Sequence, residues 1–211
     1  MSVISLYPEL EKYIGNLFSQ YDSIPEDRKN DLEKISDFIS GHMHEGETAK
    51  LTFICTHNSR RSHMGQVWAQ TAAAYFGLSQ VKTFSGGTEA TAFNPNAVEA
   101  MRKAGFQIVS DGSDENPIYQ VTFADNTPPI IAFSKKFDDK INPDKNFCAI
   151  MTCSDADENC PYIPGASLRI PITYEDPKAY DNTNRQNEAY EERCFQIATE
   201  MFYLFSKVQS D

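Results

Sequence analysis

Chemistry in this 211-residue chain is best sought in 51-LTFICTHNSRRSHMGQVWAQ-70, where a cysteine ends a short apolar run and two arginines follow. Five residues separate Cys55 from Arg61, and Ser62 comes directly after. A loop of that length between a strand and a helix can curl its backbone N–H groups toward one centre, where the positive end of the helix dipole also points. Arg61 at the helix start can hold two oxygens of a tetrahedral anion. The same field favours the thiolate of Cys55, and the Ser62 hydroxyl is placed to donate to it. Thr56, His57, Asn58, Ser59, Arg60, Arg61 and Ser62 are therefore expected to bind an oxyanion, with Cys55 as the nucleophile. The plainer alternative is a surface turn with a half-buried thiol.

Attack on a tetrahedral oxyanion needs a proton for the leaving oxygen, and a carboxyl group is the usual donor. The segment YEDPKAY supplies Glu175 and Asp176. Asp176 is the first candidate and Glu175 the second, unless Asp-Pro only starts a turn. Two further thiols lie in 151-MTCSDADENCPYIP-164, with six residues between Cys153 and Cys160. That is not the Cys-x-x-Cys redox spacing, and no second close pair exists to complete a zinc site, so no metal and no cofactor is expected. Cys148, within FCAIM, and Cys194, in a long helical pattern, read as core residues. His63 reads as an exposed or capping residue.

These groups need elements to hold them. LTFI and VKTFS read as strands, with a helix from Ser62 to Phe76 between them, closed by Gly77. The next helix has Asn94 as N-cap, Pro95 in its first position and Gly105 past its end. FCAIMT and SLRIPI are later strands, and a long amphipathic helix from about Asn184 to Val208 ends the chain. Such alternation predicts an α/β three-layer sandwich around a parallel sheet, with ligands beyond the carboxyl ends of the strands. Cys55 and Cys153 both sit at such ends. Within 110–146, IYQVTF and PIIAFS flank ADNTP and predict an inserted β-hairpin.

Ahead of this domain, residues 1–49 read as a helical extension packed on the core or supporting a dimer. Leu6, Leu10, Tyr13, Ile14, Leu17, Phe18 and Tyr21 recur at helical spacing. Ser23 and Glu26 form a possible capping box, Leu32, Ile35 and Ile39 a second stripe, and Gly41 its close. The net charge of −11 disfavours nucleic acid and anionic membranes as partners. No apolar run reaches the ~18–20 residues of a membrane span, and no secretory signal is evident, so a cytoplasmic location is expected. In that compartment the cysteines are expected to be reduced.

ICTHNSRRS resembles the active-site loop of the low-molecular-weight protein tyrosine phosphatases and of the thioredoxin-coupled arsenate reductases built on the same fold. FSGGTEATAFNPNAVEAM is similar to their second strand and following helix, and Asp176-Pro177 to their Asp-Pro loop. The resemblance spans about residues 50–205 and implies a central four-stranded parallel sheet. It also implies that Asn58 buttresses the loop through a strained backbone. His57 stands where the family usually has glycine and Arg60 where it often has cysteine, so His57 is expected at the pocket mouth and Arg60 adds positive field. TCSDADENCP is very similar to the reductases' two-cysteine segment. What the resemblance implies is a relay: Cys55 attacks arsenate, Cys153 attacks Cys55, Cys160 displaces Cys55, and thioredoxin reduces the Cys153–Cys160 disulfide. A flexible Ser154–Asn159 linker would let the thiols meet. A phosphatase using Cys55, Arg61 and Asp176 alone is the second reading, and a non-catalytic oxyanion-binding or redox-sensing module the third.

Overall fold

The strand that carries Cys55 begins earlier than its apolar run suggests: β1 spans Ala49–Cys55. The computed structural model describes residues 4–112, 115–160 and 162–209. Beside β1 lies β2 (Val81–Gly87) on one side and β6 (Phe147–Met151) on the other, with β7 (Ala166–Pro171) beyond β6. All neighbouring pairs in this four-stranded sheet are parallel.

Side-chain alternation divides the interior in two. Leu51 and Phe53 of β1, with Cys148 and Ile150 of β6, enter the larger core. Ile54 and Cys55, with Phe147, Ala149 and Met151, enter a smaller one on the other face. The larger core receives α3 (Arg61–Tyr75), α4 (Pro95–Lys103) and α6 (Gln186–Ser206). The smaller is closed by α5 (Ser154–Asn159), which contributes Ala156. The result is a parallel sheet flanked by helices.

Helix punctuation follows the sequence in the main part of the chain. Asn94 Oδ1 accepts from the amides of Asn96 and Ala97, and Gly77 and Gly105 take positive φ just past α3 and α4. The first helices differ. In the helical segment before the sheet, α1 covers Pro8–Leu17 and α2 covers Glu26–His44. Ser23 makes no capping box: its hydroxyl donates to the Gln20 carbonyl and finishes a 3-10 turn, leaving Pro25 at the N-cap of α2. Gly41 lies inside α2, and Gly46, at φ +72°, follows its end. Leu10, Ile14, Leu17, Leu32, Ile35 and Ile39 are buried in the same core as Trp68 and Phe202.

The expected hairpin is present but is part of a larger unit. β4 (Tyr119–Thr122) and β5 (Ile130–Ala132) are antiparallel, and β3 (Gln107–Ser110) pairs with β4 from the other side. This second sheet therefore starts before residue 110. Its trailing chain returns to the main sheet, where Gly87 N–H donates to the Lys135 carbonyl and Phe137 N–H to the Gly87 carbonyl. The chain that follows the second sheet thus reaches the carboxyl end of β2, beside the Cys55 loop.

Candidate active site

Cys55 closes β1 opposite Gly87 of β2, and α3 starts at Arg61, so strand and helix hold the two ends of the loop. The carbonyls between them are held from outside. Thr88 N–H donates to Cys55 O, Glu89 N–H to Thr56 O, and Asn94 N–H to Ser59 O. His57 O accepts from the hydroxyls of Thr91 and Ser134. Carbonyls fixed outward leave the intervening N–H groups for the interior of the loop, the arrangement of an anion nest. The loop can sit this close to β2 only because position 87 lacks a side chain. A Cβ there would lie 2.3 Å from Glu89 O and 2.7 Å from Asn58 N.

The strained residue is Asn58, at φ +44°, and His57 is not in the left-handed region. Asn58 is fully buried, and its amide works in two directions. Nδ2 donates to Ser62 Oγ at 2.8 Å, and Oδ1 accepts from Lys135 N–H at 2.9 Å. Ser62 Oγ in turn lies 3.1 Å from Cys55 Sγ. Because Asn58 fills an acceptor position on that hydroxyl, its single proton is free to point at the sulfur.

Arg61 is buried and faces the Asp176 segment, donating Nη1 to Tyr174 O at 2.8 Å and Nη2 to Asp176 Oδ2 at 2.7 Å. Its Nε is buried without a hydrogen-bond partner, a donor that an oxyanion in the loop can engage. Asp176 also accepts from Lys178 N–H, starting the short turn Pro177–Tyr180. Glu175 turns away: its side chain is exposed and 3.5 Å from Arg193 Nη2. Of the two acids, Asp176 alone meets the loop's arginines.

Arg60 is no solvated side chain. Its Nε donates to Tyr190 Oη at 3.1 Å and its Nη1 is 3.6 Å from Asp176 Oδ2. Tyr190 donates onward to Asp181, and burial, followed by that bond, raises its pKa. His57 is half-exposed at the rim, 3.6 Å from Glu89. His63, expected on the surface, is completely buried and stacked on Phe93 with ring centroids 4.1 Å apart. Burial first, then the charge of Lys135, holds it well below the usual histidine pKa, so it is neutral. Burial likewise brings the Lys135 ammonium down to about 8.

The remaining thiols separate into two sets. Cys148 and Cys194 are core residues, with Trp68 Nε1 donating to Cys194 Sγ at 3.3 Å and burial pushing that thiol up to about 11. Cys153 is buried beside the loop, its Sγ 3.4 Å from the hydroxyl of Thr56, the residue after Cys55. Cys55, Cys153 and the partly exposed Cys160 share one apolar cluster, and all are free thiols. The segment between the latter two is not a flexible linker. It forms α5, with Cys153 as N-cap accepting from Ala156 N–H and Cys160 at the C-cap. Arg169 on β7 fastens it, donating Nε to Cys160 O at 3.0 Å and Nη2 to Asp157 Oδ1 at 2.6 Å. This guanidinium pairs with Asp157, one of the acidic residues between the two thiols, and nothing in the local sequence marks it for that role.

No group of three or more potential metal-ligating side chains occurs among the described residues. Nor is any helix among them long and apolar enough to cross a membrane.

Comparison with known proteins points the same way as this geometry. The arsenate reductase of Bacillus subtilis is 29% identical over 147 residues, covering 70% of this chain and 87% of the relative. That of Bacillus licheniformis is 31% identical over 144 residues, 67% and 83% of the two chains. Among solved structures, a low molecular weight phosphotyrosine phosphatase from Vibrio cholerae aligns with a TM-score of 0.51 at 15% identity, over 75% of this chain and 95% of the other. An arsenate reductase in the phosphate-binding state aligns with a TM-score of 0.50 at 18% identity, over 77% and 100%. The sequence profile of one family, the low molecular weight phosphotyrosine protein phosphatases, matches residues 50–211, which takes in the Cys55 loop, Asp176 and both accessory thiols. This chain belongs to that family of enzymes, as one whose named relatives include arsenate reductases.

Proposed function

We propose that the protein is an arsenate reductase that returns to its reduced state through thioredoxin, working in a reducing cytoplasm. The observation that carries the reading is the position of Cys153, buried against Thr56 in the same cluster as Cys55 and Cys160. A phosphatase has no use for thiols there, and incidental thiols beside a nucleophilic cysteine are an oxidation liability.

In this reading arsenate binds in the loop formed by residues 56–62 and displaces Asp176 from Arg61. The Cys55 thiolate attacks arsenic, an S–As bond forms, and an As–O bond breaks. Asp176 supplies the proton with which that oxygen leaves as water. Cys153 then attacks Cys55 Sγ. The S–As electron pair passes to arsenic, reducing As(V) to As(III), and a Cys55–Cys153 disulfide remains. Cys160 attacks Cys153, releasing the Cys55 thiolate.

The last exchange requires α5 to unwind. Cys153 and Cys160 flank the helix, and seven residues at ~1.5 Å per residue put their Cα atoms roughly 10 Å apart. A disulfide needs about 4.4–6.8 Å. The relay therefore includes an order change, and the oxidised segment differs in shape from the reduced one. That difference is what a reductant such as thioredoxin can recognise.

The direct test is NADPH consumption with thioredoxin, thioredoxin reductase and arsenate. Sustained arsenate-dependent turnover supports the reductase, and its absence beside rapid p-nitrophenyl phosphate hydrolysis rejects it. The second reading, hydrolysis of phosphomonoesters through a phosphocysteine, is favoured by the completeness of the Cys55, Asn58, Ser62, Arg61 and Asp176 set without either accessory thiol.

A further inference from the structure

The segment that carries Asp176 is held from outside the part of the chain that the family profile covers. Arg28 lies on α2, ahead of residue 50. Its Nη2 donates to the Thr173 carbonyl, its Nε lies 3.3 Å from Glu200 Oε2, and its guanidinium sits 5.1 Å above the ring centre of Tyr174. The Tyr174 hydroxyl donates to the same Glu200 oxygen at 2.8 Å. Burial first, and then Glu200, raises the Tyr174 pKa well above the usual value, so it remains a neutral donor. The carbonyl of Tyr174 is the group that accepts from Arg61 Nη1, while Arg61 Nη2 holds Asp176. One residue is thus fixed at its ring by the extension and at its backbone by the loop's arginine.

The arrangement has a physical requirement behind it. Glu200 is 3% exposed, and a carboxylate at that depth needs a cation. Arg28 meets that need and, with its second arm, also ties down the peptide three residues before Asp176. A lysine, with one point of charge, cannot hold both groups in the same geometry.

We infer that Arg28 is a positioning residue for the Asp176 segment, and that the N-terminal extension belongs to the catalytic apparatus. The inference rests on the reading of Asp176 as proton donor. That donor matters most when the leaving oxygen is basic. Phenol, with a pKa of about 10 like tyrosine, needs the proton, whereas the far more acidic p-nitrophenol leaves largely without it. The value of kcat/KM for an aryl phosphate reports the step in which Cys55 is phosphorylated, so the ratio of phenyl to p-nitrophenyl phosphate isolates the acid.

The experiment compares that ratio in the full chain, Asp176→Asn, Arg28→Lys and the double variant Arg28→Met/Glu200→Gln. The double variant removes the buried charge along with its partner, so it keeps the protein folded where Arg28→Ala would strand Glu200. Asp176→Asn is expected to lower kcat/KM for phenyl phosphate by roughly 100-fold, and both Arg28 variants by about 10-fold, with the loss on p-nitrophenyl phosphate at least about 5-fold smaller in each. A purely structural role predicts equal losses on the two esters, in proportion to the unfolded fraction measured by thermal denaturation, and that result overturns the inference. So does an unchanged ratio in the Arg28 variants when Asp176→Asn shows its loss. If Asp176→Asn itself leaves the ratio unchanged, the reading of Asp176 fails and the role of Arg28 fails with it.

Discussion

Arg169 should set the redox poise of the Cys153–Cys160 pair, and the size of its effect can be worked out from its contacts. In the reduced state its guanidinium bonds Cys160 O at 3.0 Å, Asp157 O at 2.7 Å and Asp157 Oδ1 at 2.6 Å. These contacts hold α5 as a helix, and the disulfide cannot form until it unwinds. Arg169 therefore stabilises the reduced form. The partners' side chains are 23% and 28% exposed, so the charge-assisted bonds are taken at the lower end of their range, for a total of about 1–2 kcal/mol. For a two-electron couple, ~1.4 kcal/mol corresponds to about 30 mV. Replacing Arg169 with alanine should make the pair's midpoint potential roughly 20–45 mV more negative, because the oxidised form gains relative to the reduced one. The assay is equilibration of the Cys55→Ser protein in graded glutathione buffers, with quenching by alkylation and mass measurement of the Cys153–Cys160 peptide. A potential that stays within about 10 mV, or becomes less negative, would refute the idea that this guanidinium latches the helix.

Other perturbations follow from the same contacts. Cys160→Ser should leave p-nitrophenyl phosphate hydrolysis near the unmodified rate while limiting thioredoxin-coupled arsenate reduction to a single turnover, read as a stoichiometric burst of arsenite. Asn58→Ala removes a buried bond to Ser62 and orphans Lys135 N–H, so it should cost about 2–4 kcal/mol in chemical denaturation and reduce kcat by at least about tenfold. His63 is buried and neutral with a lowered pKa, so the unfolded chain binds a proton that the folded one refuses; stability is complete above the unfolded value of about 6.5 and is lost as pH falls below it. His63→Gln should flatten that acid slope in a urea-denaturation series from pH 7 to pH 5, and an unchanged slope would assign the loss to other groups.

Local signals account for much of what the sequence disclosed. The Cys55–Arg61 spacing, the helix after it, Asn94-Pro95 and Gly77 all act within a few residues of themselves, and each stands where its own chemistry requires. The failures share a different cause. His63 was expected at the surface because histidine on a helix usually finds a polar face, but α3 has no such face: the sheet lies on one side and α6 on the other, so even Gln66 and Thr71 are buried. Ser154–Asn159 looked flexible from its polar composition, yet it is helical because Cys153 caps it and Arg169, from another strand, holds its end. The site's supports are likewise distant in sequence: Lys135 meets Asn58 across 77 positions, Tyr190 meets Arg60 across 130, and Arg28 meets Thr173 across 145. A strand–loop–helix of this build can be recognised from its own residues. What holds its acid and its backbone in register comes from the helices ahead of residue 50 and from the chain around Lys135, whose partners only the folded chain identifies. The contacts of Arg28 and Lys135 make both segments part of the site's support, and the first of them lies ahead of the residues that the family profile covers.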